Sequence, residues 1–222
     1  MSEIAKQIKI LRKYITEKRW ARFQEVIQYR TEYITVVLED IYQPHNASAV
    51  LRTCDIFGIQ NVHIIENRNQ YRINPDVAVG AYKWLNIKKY NAQAHNTLEA
   101  IKYLRGQGYR IVATTPHRND THLQDFDISK GKIALFFGTE LEGLSDVMLN
   151  NADEYLKIEM FGFTESFNIS VSAAIVLYHL INKLHKSNIL WQLPPQKRDE
   201  ILLHWLKKSV KNSEQILRNS DL

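Results

Sequence analysis

Cysteine occurs once in the 222 residues. A lone thiol excludes an internal disulfide and any zinc site built on several cysteines. Cys54 stands among apolar neighbours in VLRTCDIFG, where a buried structural thiol is expected rather than a nucleophile. No run of about 18 apolar residues is present, so no membrane-spanning helix and no membrane partner are expected. The N-terminus MSEIAKQIKILRKY is too charged for a secretory signal, which leaves a soluble, cytoplasmic protein as the expectation. The loops that cradle phosphates, G-x-x-x-x-G-K-[ST] and G-x-G-x-x-G, are both missing. No G-x-S-x-G elbow surrounds Ser166. Kinase, dinucleotide-binding and serine hydrolase readings lose support accordingly. His45, His117 and His122 do not fall at zinc-ligand spacing on any one element, so no metal site is expected.

What is present suffices for one well-packed core, with 45% of residues hydrophobic. Charge is unevenly spread. Residues 1–30 carry eight Lys/Arg against three Glu, and residues 183–222 carry eight against four acids. The stretch between them holds 13 basic and 17 acidic residues. Basic ends on a mildly acidic middle are what a polyanion-binding protein shows, although solvated helix faces give the same counts.

Apolar residues Ile4, Ile8, Leu11 and Ile15, then Trp20, Phe23 and Ile27, recur at helical spacing, so residues 4–29 read as helical. From Tyr33 the pattern alternates. YITVVLEDI, NVHIIE, WLNIKKY, YRIVATT, KIALFFGT and EYLKIEM read as strands. NASAVLRTCDIFG, TLEAIKYLRGQG, SDVMLNNA and residues 169–187 read as helices between and after them. Strands that are apolar on both faces point to a parallel sheet covered on each side. A last amphipathic helix is expected over about 196–218, after LPP. The result is an α/β domain over 31–187, flanked by a basic helical extension at 1–30 and a helical extension at 188–222.

In open parallel sheets, ligands bind beyond the carboxyl ends of the strands. Three loops there carry polar residues. In QPHNASAVLR, Pro44 breaks the chain and Asn46 suits the N-cap of a helix carrying Arg52, about 120° further round. FFGTELEGLS sets Glu140 between Gly138 and Gly143. MFGFTESFN sets Ser166 and Asn168 at the mouth of an apolar helix, where capping alone would account for them.

Taken together, N-x5-R, G-x-E-x-x-G-L-S and I-x-M-x-G-x3-S-x-N-x-S-V-x-x-A resemble the three signature motifs of the SPOUT superfamily, and within it the SpoU/TrmH branch of AdoMet-dependent RNA ribose 2′-O-methyltransferases. The resemblance spans about residues 33–182. Phe167 stands where the family usually has Leu, a size-tolerant apolar exchange.

The resemblance implies a parallel sheet with a C-terminal deep trefoil knot, an exception to the rule of unknotted chains. It implies a homodimer, S-adenosyl-L-methionine held by the knot, and methyl transfer to a ribose 2′-hydroxyl. Short basic ends resemble those of tRNA-directed members acting on guanosine 18 of the D-loop. Ribosomal RNA as acceptor, or a non-catalytic RNA-binding module on the same fold, are the alternatives. By the same resemblance Arg52 is catalytic, with Asn46, Glu140, Ser166 and Asn168 around it, and Thr114, Gly138, Ile158 and Phe167 line the cofactor site. Arg12, Arg19, Arg22, Lys207, Lys208 and Lys211 are the expected tRNA contacts.

Overall fold

The computed structural model describes residues 2–116 and 121–220. His117, one of the loop histidines, lies outside the described residues. The chain divides into two compact units, Met1–Thr31 with Gln192–Leu222, and Glu32–Trp191.

The first unit is helical and joins the two ends of the chain. The expected helix over 4–29 is two helices, α1 (Glu3–Arg12) and α2 (Glu17–Ile27). Thr16 starts the second by accepting from the Arg19 N–H, with Glu17 favourably placed in the first turn. The expected helix over 196–218 is likewise two, α8 (Pro195–Ser209) and α9 (Ser213–Asn219). Asn212 turns between them in the left-handed region at φ 57°. Leu11, Phe23, Ile27, Ile201, Trp205 and Leu206 form the buried centre of this unit. Phe23 meets Trp205 edge-on with ring centres 5.4 Å apart, and the buried Arg30 guanidinium stands 5.3 Å over the Trp205 ring.

The second unit is a seven-stranded parallel α/β layer structure. In chain order it runs β1 (Ile34–Glu39), α3 (Pro44–Ile56), β2 (Asn61–Ile65), α4 (Pro75–Ala78), β3 (Asn86–Tyr90), α5 (Thr97–Gly106), β4 (Arg110–Thr114), β5 (Thr121–His122), β6 (Ile133–Phe137), α6 (Asp146–Leu149), β7 (Glu154–Lys157) and α7 (Ile169–His185). The strand order is β3-β2-β1-β6-β4-β7-β5, every pair parallel. All six residues of β1 and all five of β6 are buried, as continuous apolar strands covered on both faces require. Val36 pairs with Val62 and Leu135, and its side chain joins the core face shared with α3 and α7. Its neighbour Val37 points the other way, into the core under α5 with Ala100, Ile101 and Leu104.

Two details differ from the sequence reading. Pro44 does not break the chain before a helix; it is the first residue of α3, where its missing N–H is not needed, and Gln43 is the N-cap. Asn46 therefore lies inside the first turn and is not the cap. The polar stretch 67–82 contains α4, capped by Asn74, and a backbone reversal at Val79 (φ 47°) and Gly80 (φ 78°). Cys54 is buried.

Candidate active site

The carboxyl ends of β4, β6 and β7 open into a cavity of about 320 Å³. Each strand delivers one wall through the residue at or after its end: Thr114 from β4, Gly138 from β6 and Ile158 from β7. The loop before α7 closes the cavity with Glu165, Ser166 and Phe167. The expected cofactor residues Thr114, Gly138, Ile158 and Phe167 thus line one space.

The wall after β6 is a tight turn. Thr139 and Gly143 exchange backbone hydrogen bonds of 2.9 and 3.0 Å, and the Thr139 hydroxyl accepts from the Glu142 N–H. Gly138 has to be glycine, because a Cβ there would run into the Gly143 carbonyl. Gly143 itself sits at φ 71°. The Thr114 hydroxyl donates its one proton to the Phe136 carbonyl at 2.7 Å, which leaves its oxygen only as an acceptor.

The polar residues of the three motifs meet beside this turn. Asn46 is buried at the start of α3. Its amide nitrogen donates to Gln43 Oε1 at 3.1 Å and to Glu140 Oε1. Asn168 donates to the same Glu140 oxygen at 3.0 Å and to Asn46 Oδ1 at 3.2 Å. Asn168 also caps α7, accepting from the Ser170 N–H at 2.9 Å and its hydroxyl at 2.6 Å. Glu140 therefore steadies the turn through two amides and not through an arginine. Of the two capping residues expected before α7, Asn168 caps and Ser166 does not; Ser166 is exposed and lines the cavity.

Arg52 is apart from this cluster within one chain. It lies on the exposed side of α3, while Asn46 on the same helix is buried, in keeping with their angular separation. Its guanidinium has no hydrogen-bond or ion-pair partner among the described residues. Nor does Arg52 line the cavity. Among the described residues no Lys, Arg or His lines it either, whereas Glu140, Glu142 and Glu165 do. A site with three carboxylates, no cation among its described lining and walls of Leu, Ile, Met and Phe favours a ligand that is cationic and partly apolar, and disfavours a phosphate. Arg68 brings a cation near, bound to Glu142 at 2.5 Å on the outside of the turn.

Among the expected nucleic-acid contacts, Arg19, Lys208 and Lys211 are exposed. Arg12 pairs with Glu17 at 2.8 Å, Arg22 with Glu25 at 2.7 Å and Lys207 with Glu214 at 3.1 Å. Such surface pairs are weak and open readily to a phosphate. The remaining loop histidines do not converge: His45 is exposed, and His122 faces Glu159 at 3.1 Å. Sequence patterns gave no hint of Glu39, a buried carboxylate at the end of β1 that holds the far side of the cavity turn. Inside the run YITVVLEDI it reads as one more strand residue.

Comparison with known proteins follows the same residues. The profile of the SpoU rRNA Methylase family matches residues 33–178. A tRNA (guanosine(18)-2′-O)-methyltransferase from Borreliella burgdorferi is 44% identical over 95% of this chain and 94% of its own. One of the same name from Thermus thermophilus is 32% identical over 87% of this chain and 98% of its own. The crystal structure of the A. aeolicus TrmH/SpoU tRNA modifying enzyme superposes with a TM-score of 0.77 at 27% identity, over 88% of this chain and 98% of that one. The methyltransferase AviRb from Streptomyces viridochromogenes, solved in complex with AdoMet, shares the fold at 19% identity and a TM-score of 0.59, over 74% of this chain and 62% of that one. The matched segment contains β1 to α7 up to Tyr178, and with it every residue that forms the cavity, so the chain belongs to the SpoU rRNA Methylase family.

Proposed function

We propose that this protein transfers the methyl group of S-adenosyl-L-methionine to the ribose 2′-hydroxyl of a tRNA nucleotide, guanosine 18 of the D-loop. The observation that carries the reading is the cavity itself: three carboxylates and no cation among its described lining residues, between apolar walls, at the carboxyl ends of β4, β6 and β7. That donor set suits a molecule bearing a sulfonium and an ammonium on an adenosine. When bound, the cofactor supplies an electrophilic methyl on sulfur. The names of the curated relatives, at 44% and 32% identity over nearly the whole chain, support tRNA and the guanosine 18 ribose as acceptor.

In this reading Thr114, Gly138 and Ile158 hold the nucleoside through backbone groups, and Phe167 covers it. Asn46, Glu140 and Asn168 fix the turn that forms one wall, with Ser166 at the opening. Arg52 binds the phosphate beside the acceptor ribose through its forked donors. An arginine stays protonated in a protein, so Arg52 would not take the hydroxyl proton; the phosphate it binds would receive it as the ribose oxygen gains the methyl group. Holding donor and acceptor in line supplies up to about 7–11 kcal/mol of the rate enhancement.

Arg52 acts here from a second copy of the chain. The support is its exposure, its lack of a partner among the described residues, and the exposed Ile56, Val171 and Tyr178 on the packed pair α3 and α7. A homodimer buries those side chains and brings each Arg52 to the other copy's cavity. The segment between β7 and α7 is read as the threaded part of a deep trefoil knot. In support, β7 pairs with β4 while α7 returns to pack on α3. The helical unit supplies phosphate affinity through Arg12, Arg19, Arg22, Lys207, Lys208 and Lys211. In this reading the protein acts in the cytoplasm because its tRNA substrate is there. No described helix is long and apolar enough to cross a membrane.

The family's own description favours a second reading, ribosomal RNA as acceptor. Incubating the purified protein and labelled AdoMet with tRNA and with rRNA separates the two. Label in tRNA alone supports the first reading; label in rRNA alone replaces it with the second. A folded protein that binds RNA but takes up no AdoMet in calorimetry is a non-catalytic module.

A further inference from the structure

Glu39 ends β1 with its carboxylate almost wholly buried, 2% exposed. Its Oε1 accepts from the Thr97 hydroxyl at 2.6 Å and the Ser145 hydroxyl at 2.8 Å, and its Oε2 accepts from the Ser145 N–H at 2.9 Å. Each hydroxyl has a second obligation. The Thr97 oxygen accepts from the Asn67 amide at 3.0 Å, and the Ser145 oxygen accepts from the Met148 N–H at 3.1 Å as the N-cap of α6. Both hydroxyl protons are thereby committed to Glu39, which has to act as acceptor only.

Ser145 directly follows Leu144, the last cavity residue of the turn after β6. That turn is anchored at two places. Glu140 ties its crown to α3 and α7, and Glu39 ties its stem to β1 and to the start of α5. Gly138, at the other end of the stem, lies against the Gly143 carbonyl with no room for a Cβ, so a shift of the stem is a shift of the cavity wall.

We infer that Glu39 is a positioning residue for the methyl-donor cavity, acting through Ser145. It touches neither donor nor acceptor, and the inference rests on the methyltransferase reading given above. Replacing the carboxylate with an amide keeps its size and reverses one end. The amide nitrogen then faces either the Ser145 N–H or the two hydroxyl protons, and at least one donor loses its acceptor.

The test is AdoMet binding by calorimetry and steady-state kinetics on the full chain. Glu39→Gln is expected to raise the AdoMet Kd about tenfold or more. KM for AdoMet rises in step, while kcat at saturating AdoMet changes by less than about threefold. Ser145→Ala, which keeps the backbone N–H, gives the same split, and the double variant is no worse than the weaker-binding single one. Tyr109→Phe is the control. It removes a part-buried hydrogen bond of 2.6 Å to the Glu32 carbonyl at the opposite ends of the strands, and lowers stability without changing the AdoMet Kd. Wild-type affinity in folded Glu39→Gln overturns the inference; if that variant fails to fold, wild-type affinity in Ser145→Ala does so. Equal weakening in Tyr109→Phe also overturns it, because the effect is then general stability. If the wild-type chain takes up no AdoMet, the methyltransferase reading fails first and the inference goes with it.

Discussion

Asn46 and Asn168 are 122 positions apart, yet the amide of Asn168 donates to the side-chain oxygen of Asn46 at 3.2 Å, and both amides donate to one oxygen of Glu140. Three motifs from three strand ends are thus one hydrogen-bonded unit. An acceptor at position 46 would oppose the carboxylate it now serves. Asn46→Asp is expected to lose more than Asn46→Ala, by about 2 kcal/mol against about 1 kcal/mol. In kcat/KM for methyl transfer the Asp variant is down about 30-fold. Equal losses in the two variants would show that only packing at position 46 matters.

Gly138→Ala tests the turn directly. The added Cβ meets a backbone carbonyl, that of Gly143, which cannot swing aside as a flexible side chain can. The cost is expected to be about 1–3 kcal/mol in urea unfolding, with AdoMet affinity reduced as well. Unchanged stability would mean that the turn has an alternative conformation of equal energy.

The sheet and most helices were legible because their signals are local. Runs such as ITVVLE and IALFF are apolar on both faces, and only a covered parallel sheet satisfies them. The breaks at 13–16 and 210–212 were not, because neither contains glycine or proline; the helical rhythm simply runs through them. Pro44 was read as a break and is instead a start, since proline fits the first helical position as well as it fits a loop. No spacing in the sequence connects Thr114, Gly138, Ile158 and Phe167, and only the resemblance pointed to the four residues that the structure brings to one cavity. Glu39 was invisible, for its meaning comes from Ser145, 106 positions away.

His63 gives a pH dependence. Burial, and then the Lys88 charge, push its pKa from 6.5 down to about 4. Its Nδ1 is 2.9 Å from the Tyr90 hydroxyl, and the Tyr103 ring lies 6.0 Å away. The folded chain keeps the imidazole neutral, while the unfolded chain protonates it below about 6.5. Its contribution is therefore fully present above that pH and is lost as the pH falls towards 4. The loss is on the order of 3 kcal/mol across that window. Denaturant titrations on either side of the ordinary histidine pKa, one near neutrality and one well into the acid range, should show this drop in wild type and a smaller one in His63→Phe. Parallel drops would assign the effect to other groups.

Neutralising Arg19, Lys208 and Lys211 together should weaken tRNA binding and leave AdoMet binding unchanged. Every phosphate that the protein no longer neutralises lowers the slope of log K against log salt by about 0.7–0.9. An unaltered slope would remove those three side chains from the interface.

In the proposed reaction, the cavity and the Asn46–Glu140–Asn168 unit together direct a methyl group to one ribose oxygen. The most direct measurement is labelled methyl incorporation from AdoMet into a pair of tRNAs that differ only in carrying ribose or 2′-deoxyribose at position 18. Incorporation into the ribose form at that nucleotide, and none into the deoxy form, is the predicted result. Equal incorporation into both, or none into either by a protein that binds AdoMet, would contradict it.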